Sequence, residues 1–222
     1  MTNDLLQTEN LLLRSLSKED RILLQPNLSR CDLAREMILN DIGEPTARFF
    51  FIEEGIASCV AVEGSSRTEV GLVGLEGVTG VNALLGDDLA PYETFIQVDG
   101  GTALSIGTQD LRKAMDNSAT LRRALLLYVN TFISQVSFGL VACAQHRMEA
   151  RLARWLLMCH YRVEGDDVSL TLHSLEGAGM IRSTRGLVTI RDRGKLADLA
   201  GDSYGLPERR YRALIGEFGK SR

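Results

Sequence analysis

The alternation of apolar and polar positions changes character twice along this chain. Between Leu33 and Ile106 the apolar residues come in short runs, at positions 38–39, 49–52 (FFFI), 56–62, 69–73 and 94–98. Clusters rich in Gly, Asp, Ser and Pro at 41–45, 54–55, 63–66 and 99–101 separate them, and such residues favour turns over ladders. Many short strands at this spacing predict a sandwich or β-roll of jelly-roll type. Ahead of them, residues 10–28 read as a short helical lead-in, with Ser17 as the N-cap before Lys18-Glu19-Asp20.

The period then switches. From 118 to 145 there is no proline and one glycine, Gly139. Leu126, Val129, Ile133, Val136, Leu140 and Cys143 fall at alternating steps of three and four, the spacing of a coiled-coil seam, which predicts a long helix and a homodimer. Leu125, Tyr128 and Phe132 add a second stripe, suited to packing on the β domain. A buried helix in one globular core is the competing explanation. A second helix follows over 148–163, with Leu152, Trp155, Leu156 and Cys159 on one face and a basic set, Arg147, Arg151, Arg154 and Arg162.

Residues 172–190 (LHSLEGAGMIRSTRGLVTI) place Leu172, Leu175 and Ala178 at helical spacing and stop on Gly179. Two β-prone runs, 180–181 and 187–190, then flank a basic turn at 182–186. A helix end, strand, basic turn and strand describe the wing of a winged helix-turn-helix, whose arginines suit phosphates. A solvated hairpin on a small α+β domain fits these residues equally. Further helices are expected over about 194–200 and 207–218, the latter with Pro207 in its first turn.

Charge sharpens the division. The net −4 splits into −8 over residues 1–143 and +4 over residues 144–222. An acidic front joined to a basic rear fits a sensor attached to a polyanion-binding unit better than a single-purpose enzyme. No Ser/His/Asp arrangement, carboxylate pair or G-x-S-x-G motif stands out, so no enzyme is expected. Cys31, Cys59, Cys143 and Cys159 form no C-x-x-C pair, and His146, His160 and His173 lack ligand spacing, so neither a metal nor another cofactor is expected. Scattered thiols, an N-terminus without a basic leader and the lack of an unbroken apolar run of about 20 residues predict a cytoplasmic chain that does not engage a membrane.

Taken together, three segments carry a resemblance. Ile42-Gly43-Glu44-Pro45 with Phe50-Phe51-Ile52 and Glu54-Gly55-Ile56, the run RLARWLLMCHYRV (151–163), and HSLEGAGMIRSTRG (173–186) resemble the Crp/Fnr family of bacterial transcription regulators. The resemblance implies an α+β chain with a β-roll sensor domain (1–117), a dimerisation helix (118–146) and a C-terminal winged helix-turn-helix domain (147–222). It implies DNA as partner, with phosphate contacts from Arg182, Arg185, Arg191, Arg193, Arg151 and Arg154. It also implies a small-molecule effector pocket at Glu76, Gly77, Thr79, Gly80, Tyr92, Glu93 and Thr94.

Two departures matter. Family members place two helices, needing roughly twenty residues, between the segments matching 168–171 and 172–179; here Thr171 runs directly into Leu172, so the DNA-binding domain reads as shortened. An effector-binding or interaction protein of the same fold, acting on full-length relatives, is therefore the alternative. Second, the region matching the cyclic-AMP phosphate cassette has glycines at 71, 74, 77 and 80. Yet no Lys or Arg occurs from Thr68 to Leu111, while Glu69, Glu76, Asp87, Asp88, Glu93, Asp99 and Asp110 do. Burying a phosphate without a counter-charge costs several kcal/mol. Cyclic AMP is thus not the expected effector, and tight turns are the expected role of the glycines.

Overall fold

The computed structural model describes residues 7–162, 167–168, 181–184 and 187–219. Two short helices open it, α1 (Leu11–Ser15) and α2 (Lys18–Leu24). Asn10 caps α1 by accepting from the Leu13 N–H at 3.0 Å, while its amide donates to the carbonyls of Ile52 and Gly77, both at 2.8 Å. Ser17 caps α2, accepting from the Asp20 N–H at 3.1 Å.

An antiparallel sheet follows: β1 (Ser29–Leu33), β2 (Ile38–Asn40), β3 (Arg48–Glu63), β4 (Ser66–Val73) and β5 (Glu93–Gly107), in the order β1-β5-β3-β4, with β2 also on β5. β1, SRCDL, has no strand signature in the sequence because only Leu33 is fully buried along it. Two of the expected turns are not chain reversals. Residues 54–55 lie inside the continuous β3, and 99–101 lie inside β5. The register shifts there, and both strands bend at the same place. Gly55, Gly100 and Gly101 all take positive φ (92°, 79° and 153°), and a Cβ on Gly55 would stand 2.4 Å from the Gly100 carbonyl oxygen. Glycine therefore serves a shared corner, where two backbones touch and the sheet folds over itself. Phe49, Phe51, Ile52, Ile96, Leu104 and Ile106 fill the roll with no exposure.

The short helix α3 (Val81–Leu84) sits between β4 and β5, and α4 (Thr108–Asn117) leads into α5 (Ala119–Gln145). Ser118 caps α5, accepting from the Leu121 N–H at 3.2 Å. α5 is long and apolar enough by length and composition to cross a membrane, a test that core helices of globular proteins also pass, and polar residues such as Asn130, Ser134 and Gln135 interrupt its apolar positions. Here Leu121, Leu125, Tyr128, Val129 and Phe132 are buried against the roll. The six-residue seam does not face one way. Leu126, Ile133 and Leu140 are 39%, 53% and 71% exposed, and Cys143 is exposed, whereas Val129 is 3% exposed and Val136 packs on the core. The wider apolar stripe pulls Val129 inward, leaving an outer heptad of three.

The C-terminal unit comprises α6 (Met148–His160), β6 (Asp167–Val168), β7 (Ile181–Thr184), β8 (Leu187–Ile190), α7 (Arg193–Ala200) and α8 (Leu206–Leu214). Its sheet runs β6-β8-β7, antiparallel. Residues 182–184, expected in a turn, belong to β7, with Arg182 opposite Thr189. The expected helix before Gly179, the Thr171–Leu172 junction and Arg185 lie outside the described residues.

Candidate functional site

The residues singled out for an effector do not gather around one pocket. Thr79 pairs with β3, its N–H donating to the Phe50 carbonyl at 3.1 Å and its hydroxyl accepting from the Phe50 N–H at 3.2 Å. Gly80 caps α3 at a φ of +78°. Glu93 is ion-paired with Arg67, and the buried Thr94 hydroxyl donates to Cys59 Sγ at 3.8 Å. Tyr92 packs against Phe132, with ring centroids 6.4 Å apart. Glu76 and Gly77 instead lie at the junction between the roll, α5 and the C-terminal unit.

That junction is the polar centre of the molecule. Arg162, just past α6 and fully buried, donates to Glu76 Oε1 from Nε at 2.8 Å and from Nη2 at 2.7 Å, and to the Met158 carbonyl at 2.6 Å. Burial lowers the Arg162 pKa, but the carboxylates of Glu76 and Glu208 outweigh it, and the guanidinium stays charged. The Tyr211 hydroxyl, from α8, donates to the Glu76 carbonyl at 2.6 Å. Glu76, Tyr128, Gln135, Arg162, Glu208, Tyr211 and Phe218 line a small cleft of about 20 Å³, room for about one water. The second oxygen of Glu76, Oε2, is buried there without a protein partner.

The glycine series acquires its meaning from this junction. A Cβ on Gly71 would meet the Phe132 ring at 2.8 Å, on Gly74 the Arg162 Cγ at 2.6 Å, and on Gly77 the Tyr128 hydroxyl oxygen at 2.2 Å. Only Gly80 of the four has positive φ. Three of the glycines are therefore seats for side chains arriving from α5 and from the end of α6, and the expected turn role holds as well for Gly74 and Gly77, which close the turn after β4 with the Gly77 N–H donating to the Gly74 carbonyl at 3.0 Å. The counter-charge missing from 68–111 is supplied by Arg162, and Glu76 consumes it.

Two further ties cross the same boundary. Gln135 of α5 accepts from the Leu72 N–H at 2.7 Å and donates to the Leu72 carbonyl at 3.1 Å, completing a piece of the β4 edge as a neighbouring strand would. Trp155 Nε1 of α6 donates to Glu69 at 2.5 Å, and the Ser58 hydroxyl donates to the other Glu69 oxygen at 2.8 Å. Burial holds the Glu69 carboxyl above its ordinary range, against the lowering effect of those hydrogen bonds and of Arg162 and Arg154. Ile56 and Leu72 of the roll join Ala153, Leu156, Leu157 and Cys159 of α6 in one apolar cluster.

The arginines expected on a DNA-facing surface separate accordingly. Arg147, Arg151 and Arg191 are exposed. Arg193 is half-buried and stacks over the Tyr161 ring at 4.6 Å. Arg154 is a correction: it is buried, donating to the Ser203 carbonyl at 2.9 Å and the Gln135 carbonyl at 3.3 Å, so no phosphate reaches it in this arrangement. Among the described residues no cluster of His, Cys, Asp and Glu is arranged to hold a metal ion. Sequence reasoning did not pick out Gln135, Trp155 or Tyr211 for these ties. A signal existed for Gln135, the polar residue continuing the Leu125, Tyr128, Phe132 stripe at the next step of three.

With this geometry in place, comparison with solved structures is informative. Over 78% of its length the chain superposes on 98% of FixK2 from Bradyrhizobium japonicum, with a TM-score of 0.66 and 13% identity. A CRP-family transcriptional regulator from Thermus thermophilus, TTHB099, matches 80% of this chain over 98% of its own (TM-score 0.64, 16% identity). A protein described as a regulator of the Crp/Fnr family from Eubacterium rectale ATCC 33656 matches 85% over 97% (TM-score 0.61, 14% identity). The fold is that of the Crp/Fnr regulators. No protein-family model and no curated protein sequence matches the chain significantly, so the Crp/Fnr likeness rests on shape.

Proposed function

We infer that this chain is a dimeric, cytoplasmic, DNA-binding transcription regulator of Crp/Fnr type, governed by an effector other than cyclic AMP. The observation that carries the reading is the shared architecture: a β-roll, a 27-residue helix and a C-terminal unit with a β-hairpin, in the order found in regulators of this fold. The outer heptad of α5, Leu126, Ile133 and Leu140, supports self-association, since three large apolar side chains in one row gain by being covered. The exposed Arg147, Arg151 and Arg191 supply a phosphate-binding set; Arg182, on β7, and Arg185 are assigned to the same set from the sequence.

The direct test is fluorescence anisotropy of the full chain with a random-sequence duplex from about 50 to 200 mM salt, followed by selection from a duplex pool. On the sequence reading that the DNA-binding domain is shortened at Thr171–Leu172, binding is expected to be weak, with dissociation constants of about 10⁻⁴ to 10⁻⁶ M and a steep salt dependence. Absence of binding at the lowest salt refutes the DNA reading. A sharp palindromic consensus refutes the shortened domain.

A further inference from the structure

We propose that Arg193, Arg212 and the hydroxyl of Tyr161 form a binding site for one phosphate group on the C-terminal unit. The site is built on the Tyr161 ring, at the end of α6. Arg193, the first residue of α7, stacks over that ring with its guanidinium carbon 4.6 Å from the centroid, and Arg212 of α8 comes to 5.9 Å of the same centroid. Arg212 also stands 5.7 Å from the Phe218 centroid, and Phe218 packs on Tyr161 with centroids 5.9 Å apart. Three separate segments thus bring two cations onto one aromatic surface. Stacking fixes where a guanidinium lies and leaves its charge uncancelled.

The pair lacks a counter-charge. Among the described residues no carboxylate forms an ion pair with Arg193 or Arg212. The acids nearest to them in sequence are already engaged. Asp192 accepts from the Lys195 N–H at 2.9 Å and pairs with the Lys195 ammonium at 3.5 Å, while Glu208 is buried and accepts from the Gly205 N–H at 3.1 Å. The Tyr161 hydroxyl accepts from Arg193 Nη2, and its own proton has no acceptor among the described residues. The three groups therefore present donors and positive charge without a matching acceptor. A phosphate group supplies one, because its several oxygens take charge-assisted hydrogen bonds from both guanidiniums and a further one from the phenol. Arg193 is half-buried and set by its stack, whereas Arg212 is exposed, so one cation is fixed and the other turns toward the ligand from the solvent side.

Isothermal titration calorimetry of the full chain with inorganic phosphate at low ionic strength tests the site, and saturable binding is expected. Arg212→Gln should weaken it about tenfold, and Tyr161→Phe, which keeps the ring beneath both arginines and removes only the donor, about threefold. Arg210→Gln, at an exposed arginine of the same helix, should stay within about twofold of the parent, because a distant exposed charge is screened. Absence of saturable binding by the parent overturns the proposal. So does an equal loss in Arg210→Gln and Arg212→Gln, or an unchanged affinity in both Arg212→Gln and Tyr161→Phe with native far-UV circular dichroism. A random-sequence duplex then separates the two sources of phosphate. If the DNA backbone fills the site, Arg212→Gln lowers the slope of log affinity against log salt by about 0.9. A slope unchanged by Arg212→Gln, with phosphate binding reduced, assigns the site to a soluble phosphorylated ligand, and both results uphold it. The site does not rest on the DNA reading: phosphate bound saturably by a chain that binds no duplex upholds the site and removes the regulator.

Discussion

Replacing Gln135 by leucine probes the tie between the long helix and the roll. β4 is the edge of its sheet, and the Leu72 N–H and C=O point away from β3 toward α5, where the Gln135 amide is their partner. Leu72 is 1% exposed, so water does not take over. Each orphaned main-chain group costs about 1–3 kcal/mol. Leucine recovers about 1 kcal/mol of apolar burial, which leaves a net loss of about 1–5 kcal/mol for the two groups together. For a chain of this size about 2–4 °C accompanies each kcal/mol, so the thermal midpoint should fall by about 2–20 °C. Thermal unfolding followed by circular dichroism measures it, with Asn130→Ala, an exposed position on the same helix, expected to stay within about 0.5 kcal/mol of the parent. A fall of less than about 2 °C for Gln135→Leu, below what one kcal/mol produces, shows that the edge finds another partner and that the amide does not pin the helix.

Other expectations follow from the same geometry. Ile133→Asp places a charge in the middle of the outer heptad and should shift sedimentation velocity from dimer to monomer at micromolar concentration; a parent that is already monomeric there refutes the seam. Calorimetric titration with cyclic AMP should give no dissociation constant below about 10 μM, near −7 kcal/mol, because Glu76 already occupies Arg162 and the roll offers no other cation from 68 to 111. Glu69 has a folded-state pKa above its ordinary 4.5, so its contribution to stability is fully present below about that pH and is lost as pH rises through the folded value. Denaturant titrations from about pH 4 to 8 should therefore fall less steeply for Glu69→Gln than for the parent; identical slopes contradict a buried, titrating Glu69.

The parts of the fold legible in the sequence are those where one period dominates. The α5 stripe announces a helix, Ser17 announces a cap, and the short β-prone runs announce a roll. The runs are nevertheless cut wrongly at 54–55 and 99–101, because a glycine that reverses a chain and a glycine that lets two strands bend together have the same local signature. Only the pairing of Gly55 with Gly100 and Gly101 distinguishes them, and that pairing is non-local. The same limit governs the site. Arg154 and Arg162 read as one basic set on a helix, but their environment is set by Ser203, Gln135 and Glu76, distant in sequence. Gly71, Gly74 and Gly77 are visible as a repeat, while the side chains they accommodate lie 51 to 88 residues downstream.

The long helix has an arrangement with mechanical meaning. On one flank a side-chain amide fixes it to a strand at a single residue, on another Arg154 grips its Gln135 carbonyl, and on the third a row of every seventh residue stands open. Sliding by one residue moves α5 by about 1.5 Å and turns it by about 100°, which would break both ties and carry the open row out of its place together. The two ties are therefore coupled through the rigid helix: a displacement large enough to break the Gln135 amide's hold on Leu72 also breaks the Arg154 hold on the Gln135 carbonyl.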